Sequence, residues 1–167
     1  LDLTKKLIAC PSVTPEDAGA QGVLAAFLEG LGFTCYRLPF GEGAERVDNL
    51  FARIGTGGPH VCYAGHTDVV PAGDEVAWTY GPFEPTVKDG VLYGRGASDM
   101  KGSVAAFACA AAEFLKDGAD FDGSISMLIT GDEEGPAVNG TIKVLEWMAE
   151  NGHVPDVALV GEPTNPE

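Results

Sequence analysis

Seven residues of this sequence combine types and positions that could do metal or acid–base chemistry: His66, Asp68, Asp99, Asp132, Glu133, Glu134 and Glu162. His66 and Asp68 stand two apart in HVCYAGHTDVVPAGD, whose first half is apolar and favours a strand. Side chains on a strand repeat with period two, so the imidazole and the carboxylate share a face at its end. Two further apolar stretches finish in TGDEEG (130–135) and GEP (161–163), and Asp99 closes YGRGASD just before an alanine-rich segment. Carboxylates crowded together repel one another and titrate upward unless a cation neutralises them, and a divalent ion is the natural counter-charge. In that arrangement His66 binds metal, while Asp68 holds the other imidazole N–H or a nearby ligand. Asp99, at a strand-to-helix junction, could bridge two ions. Glu133 and Glu134 are adjacent and point different ways, so one can bind metal while the other reaches a water. Mixed imidazole and carboxylate ligation fits zinc best, with manganese or cobalt as further fits.

Taken singly, each of these residues has an ordinary reading. HTD is commonly a hydrogen-bonded His–Asp pair at a strand end, DEE a solvated turn, and Asp99 a helix N-cap. Their joint arrival at the ends of apolar strands tips the balance toward a metal site, because buried strands do not normally all finish in acids. GRGASDMKG is neither GxGxxG nor a Walker sequence, so it argues for no nucleotide. Ser98 and Ser103 lack the GxSxG elbow, which leaves a serine triad through His66 without support.

The elements that must position these residues can be read from periodicity and punctuation. Leu3, Leu7 and Ile8 mark a short first helix ended by CPSVTP, and Val23, Leu24, Phe27, Leu28 and Leu31 mark a second, with Gly32 as a left-handed cap. Strands are expected over 33–40, 49–55, the stretch from His60, 124–135 and 156–163, with an exposed loop over 41–49. Asp89-Gly90 between apolar residues is the strongest hairpin signal. Helices are expected over 100–116 and 138–152, the latter with Ile142, Leu145, Trp147, Met148 and Ala149 as apolar positions, and a loop over 117–123. Strands and helices alternate, and three strands are continuously apolar. The expectation is therefore an α/β fold with a mixed, mostly parallel twisted sheet covered by helices on both faces. In open sheets of this kind, ligand sites gather at the carboxyl ends of the strands.

Composition narrows the partners. The chain has 167 residues, 10 basic against 25 acidic, and a net charge of −15, which opposes binding to nucleic acid. No apolar run is long enough for a bilayer, so no membrane partner is expected. No signal peptide opens the sequence, and the four scattered cysteines (Cys10, Cys35, Cys62, Cys109) read as reduced and buried, which together suggest a cytoplasmic protein.

The motifs GHTDVVPAGD, WTYGPFEPTVKDGVLYGRGASDMKGSVAAF, DEEGPAVNGTIKVLEWM and LVGEPT resemble the M20-type metallopeptidases and deacylases, and the resemblance runs through essentially the whole chain. Such a resemblance implies a zinc-dependent exopeptidase-like fold with two Zn2+ ions, for which Co2+ may substitute. It implies that His66 and Glu162 bind one ion, that Asp99 bridges both, and that Glu134 binds the second. Glu133 becomes the general base, Asp68 the support of His66, and the Asp99–Met100 peptide is cis. The implied reaction is hydrolysis of the linear amide of a small acylated amino acid. The three most specific motifs favour a succinylated over an acetylated substrate. Members of the family are roughly twice as long, with a dimerisation domain inserted after the GEPT strand. On that pattern residues 1–167 form the first part of the catalytic domain, and the parent is a homodimer. The inserted domain, the rest of the catalytic domain, the second ion's histidine and the groups gripping substrate lie beyond. The chain by itself then reads as a metal-binding module without turnover, and the parent as a hydrolase.

Overall fold

The computed structural model describes residues 1–116 and 121–164. In chain order the strands are β1 (Thr34–Arg37), β2 (Leu50–Ile54), β3 (His60–His66), β4 (Thr86–Lys88), β5 (Val91–Tyr93), β6 (Ser124–Thr130) and β7 (Val157–Val160). The helices are α1 (Asp2–Ile8), α2 (Ala20–Glu29), α3 (Gly102–Lys116) and α4 (Thr141–Glu150). Five strands form the main sheet in the order β1-β2-β6-β3-β7, and β4 and β5 pair apart from it. The sheet is mixed, as expected, but its parallel part is confined to β6-β3-β7; β1-β2 and β2-β6 are antiparallel.

The alternation of side chains explains how both faces become covered. Leu50 and Ala52 of β2, Tyr63 of β3, and Met127 and Ile129 of β6 turn toward one face, where α1, α2 and α3 supply Leu7, Leu24, Leu28, Val104 and Ala108. Phe51, Cys62 and Leu128, each one residue out of phase, turn to the other face and meet Val144 and Met148 of α4. The chain steps from β3 to β6 through α3, then back past β3 to β7 through α4. Right-handed crossovers in opposite directions place successive helices on opposite faces, and the two apolar clusters show that they are there.

Several expected boundaries shorten. The first strand spans four residues rather than 33–40, the strand expected over 124–135 ends at Thr130, and the last ends at Val160. Beyond β1 and β7 the pairing thins to single bonds, Leu38 and Phe40 N–H to the Asn49 and Val47 carbonyls and Gly161 N–H to the Ala64 carbonyl. The apolar face of α4 also differs from expectation: Val144 and Met148 are buried, Trp147 packs partly against them, and Ile142, Leu145 and Ala149 face outward. Of the four cysteines, all free, only Cys62 is buried and Cys109 is exposed. The Asp89-Gly90 turn forms as expected, with φ of 51° and 81°, the left-handed pair that a two-residue hairpin of this twist requires. Part of the loop expected over 117–123 lies outside the described residues. Among the described residues no helix is long and apolar enough to cross a membrane.

Candidate metal centre

Parallel register brings the acids together. His66 closes β3 opposite Thr130, the last residue of β6, so HTD and GDEE leave the sheet side by side. The Gly161 N–H donates to the Ala64 carbonyl at 3.1 Å, which carries the β7 pairing one step further and delivers Glu162 to the same rim. Asp99 reaches it from a wide turn over Ala97–Lys101 that leads into α3. Met100 anchors that turn: its side chain is fully buried in the core, and its sulfur accepts the His66 backbone N–H at 3.4 Å. The Asp99–Met100 peptide is cis, as the resemblance implied.

The His66 Nε2 atom is the point of convergence. Asp99 Oδ1 lies 3.1 Å from it, Glu162 Oε1 3.5 Å and Glu133 Oε2 3.7 Å. Donor atoms around a tetrahedral zinc at its usual bond lengths sit about 3.3 Å apart, so these spacings suit a shared ion. Two overlapping donor groups result, His66 with Glu133 and Glu162, and His66 with Asp99 and Glu134, each with its donor atoms within 4.8 Å of one another. The imidazole is fully buried, whereas Asp99 and Glu133 are about half exposed, 51% and 48%. A cation would therefore be held from below and approached from solvent. The donor set, one imidazole with several carboxylates, fits a divalent metal of the zinc class.

Electrostatics point the same way. Burial pushes Glu134 up, and the neighbouring Asp99 charge pushes it further; Glu162 is raised by burial and by Glu133 and Asp99, against the pull of His66. Burial alone would lower His66, but its hydrogen bonds to Asp68 and the charges of Asp68 and Glu162 outweigh that and bring it up to about 9. Mutually repelling acids and an imidazole drawn toward them, all facing one point, create the negative field that a divalent cation neutralises.

Asp68 does more than the sequence suggested. His66 Nδ1 pairs with the Asp68 backbone carbonyl at 2.9 Å, while the nearer carboxylate oxygen is 3.5 Å away. The carboxylate, 1% exposed, instead accepts the backbone N–H groups of Glu133 and Glu134 and the Thr14 hydroxyl. Burial alone would raise this carboxyl, but the nearby His66 ring and these three donors outweigh it and hold it below the usual range. Asp132 leaves the site altogether. It is buried, and its Oδ2 accepts the N–H groups of Val138 and Asn139, so it shapes the loop after β6 rather than facing the donors. His60 is engaged by Ser126 and His153 stacks on Trp147, so neither reaches the cluster.

Sequence reasoning missed the supports. Ser103 Oγ donates to the Gly161 carbonyl at 2.7 Å and pairs with the Tyr63 hydroxyl at 2.6 Å, tying the start of α3 to the strand end that carries Glu162. Gly161 is required there, since a Cβ would collide with the Tyr63 hydroxyl. No local pattern marks these residues, because their partners are 40 and 58 positions away. Ser103→Ala is expected to cost about 1 kcal/mol of stability and to speed the loss of a bound divalent metal to a chelator. Release at the wild-type rate would mean that strand pairing alone seats Glu162.

The chain is 64% identical over 167 residues to succinyl-diaminopimelate desuccinylase of Gluconacetobacter diazotrophicus, covering 100% of this chain and 43% of that protein. It is 66% identical over 165 residues to the enzyme of the same name from Rhodospirillum centenum, covering 98% of this chain and 43% of that one. It thus spans less than half the length of these curated relatives. Among solved structures, human carnosine dipeptidase 1 superposes with a TM-score of 0.85 at 27% identity, over 98% of this chain and 38% of that one. The model of peptidase family M20/M25/M40 matches residues 62–167, a span containing every donor at the rim, and the chain belongs to that family.

Proposed function

We propose that the full-length protein is a cytoplasmic, zinc-dependent amidohydrolase that cleaves N-succinyl-LL-2,6-diaminopimelate to succinate and LL-2,6-diaminopimelate. The observation that carries the reaction class is the convergence of four carboxylates from three separate segments on one buried imidazole. The choice of substrate rests on the relatives' names. His66, Asp99, Glu134 and Glu162 would hold the two zinc ions. When bound, the ions supply Lewis-acid polarisation of the amide carbonyl and lower the pKa of water. Glu133, beside the donors and open to solvent, takes the proton of the attacking water as it adds to the succinyl carbonyl carbon. It then gives that proton to the departing amine as the C–N bond breaks, so the carboxylate is restored at the end of each cycle. Asp68 keeps both acids and the imidazole in place throughout. The remaining elements of the proposal are a homodimeric parent and cobalt as a working substitute for zinc.

The test is a substrate panel on the full-length, zinc-loaded protein, comparing N-succinyl-diaminopimelate with N-acetylornithine. The expected result is efficient release of succinate with little hydrolysis of the acetyl compound. Preference for the acetyl compound would keep the reaction class and overturn the substrate.

A further inference from the structure

The Asp68 carboxylate meets the Glu133 and Glu134 amides and stands beside His66, and one of its donors comes from a segment with no ligand in it. Its Oδ2 accepts the Thr14 hydroxyl at 2.6 Å, the Glu134 N–H at 3.0 Å and the Glu133 N–H at 3.1 Å. Its Oδ1 accepts the Glu133 N–H at 3.2 Å and stands 3.5 Å from His66 Nδ1. The two backbone donors belong to the acids being positioned, so they cannot fix Asp68 independently of them. The Thr14 hydroxyl can. Residues 12–14 run alongside Thr67–Val69 as a short parallel pairing: the Val69 N–H donates to Ser12 and the Thr14 N–H to Val69, at 2.9 and 3.3 Å. Ser12 Oγ donates to the Thr67 carbonyl at 2.6 Å, and the buried Lys101 ammonium donates to the Cys10 carbonyl at 2.8 Å. Thr14 is thus held by backbone pairing beside Asp68 and presents a donor whose position does not depend on the acid loop.

We propose that Thr14 is a positioning residue for the hydrolysis, acting through the Asp68 carboxylate to hold Glu133 and Glu134 in working register with His66. The inference rests on the metal-dependent reading above. An O–H to a buried carboxylate is a charge-assisted bond, short and directional, and it selects one rotamer of Asp68. Without it the carboxylate keeps only donors that move with it, and the acid loop and imidazole lose a common reference. Threonine carries the hydroxyl on a stiff, β-branched side chain, which suits a fixed donor.

The experiment compares Thr14→Val, Thr14→Ser and Met148→Ala with wild type in the full-length protein. Met148→Ala supplies a destabilised control, since its side chain is buried on the opposite face of the sheet. The readouts are the visible absorption of the Co2+-loaded protein, zinc retention against a chelator, and kcat and KM separately. Thr14→Val is expected to lower kcat or metal affinity about 10- to 100-fold with KM little changed and an altered cobalt spectrum. Thr14→Ser is expected to restore most of the loss, and Met148→Ala to lower Tm while keeping kcat and the spectrum. The proposal is overturned if Thr14→Val matches wild type in spectrum, retention and kcat, if Thr14→Ser fails to rescue, or if Met148→Ala reproduces the same losses. A wild-type protein that takes up cobalt but ignores the succinyl substrate sinks the substrate reading alone, because spectrum and retention still judge Thr14. One that takes up neither metal sinks both.

Discussion

Glu133→Gln in the full-length protein is expected to lower kcat by about 10²- to 10⁴-fold, the usual worth of a positioned general base, with zinc content unchanged. The geometry makes this a sharp experiment. Glu133 Oε2 is 3.7 Å from His66 Nε2, as a ligand's would be, and its neighbour Glu134 shares the second donor group with the same imidazole. Two adjacent acids at one rim are separated only by what each loses when neutralised. A ligand turned to an amide loses metal; a base turned to an amide loses only proton transfer. Glu133 is about half exposed and its backbone N–H, not its side chain, holds Asp68, so the glutamine leaves no cavity and breaks no internal bond. Unfolding should therefore be unaffected, and any drop in turnover reads chemistry. Glu134→Gln is the counterpart, expected to shed zinc. Near-normal turnover in Glu133→Gln would end the general-base role, and loss of zinc in that variant would make Glu133 a ligand instead.

Zinc affinity should fall steeply with acidity. Metal-free His66 sits at about 9 because Asp68 and Glu162 overcompensate its burial, so at neutral pH its ring carries a second proton. With Nδ1 given to the Asp68 carbonyl, the displaced proton is the one on Nε2, the atom the carboxylates surround. Loading must expel it, which weakens apparent affinity about tenfold per pH unit below the imidazole's pKa, or roughly a hundredfold between pH 8 and pH 6. Competition against a chelator across that range measures it, and titration in buffers of different ionisation enthalpy counts the proton released. A flat profile would mean that His66 enters the site unprotonated.

The same shift reverses sign for folding without metal. A group whose folded pKa lies above its unfolded one stabilises the fold fully below the unfolded value, near 6.5 here, and the contribution is lost as pH rises through about 9. That contribution is about 3 kcal/mol for this shift. The raised Glu134 and Glu162 act in the same direction, each favouring the fold while protonated. The metal-free protein should thus lose stability from pH 6.5 to 9 while the zinc-loaded protein gains it, since binding to the native state stabilises in proportion to occupancy. Calorimetry with chelator and with zinc over that range should show the two trends crossing; parallel trends would remove His66 as the group responsible.

The sequence by itself determined the elements whose signals are local. Asp89-Gly90 specifies its hairpin because its backbone conformation belongs to those two residues. Continuous apolar runs ending in HTD and GDEE specify buried strands and the run ending in GEP specifies a strand that pairs as the exposed edge, and parallel pairing then leaves their acidic ends nowhere to go but a common rim. That much put His66, Asp99, Glu133, Glu134 and Glu162 together before any coordinate.

Only the tertiary structure decided the rest, and the reason is sequence distance. Asp68 was legible as a support, but its partners were not: the Thr14 hydroxyl is 54 positions away and the acid-loop amides 65 and 66. Such bonds exist only once β3 and β6 are in register and the segment after α1 lies along them. Asp132 reads as a further rim acid because its neighbours are, yet it turns inward to the amides of the loop it begins. α4 carries apolar residues on two sides, and periodicity alone could not say that Val144 and Met148, rather than Ile142 and Leu145, meet Phe51 and Leu128. Residue type and strand end chose the donors; the packing of the sheet against α1, α3 and α4 chose what holds them still.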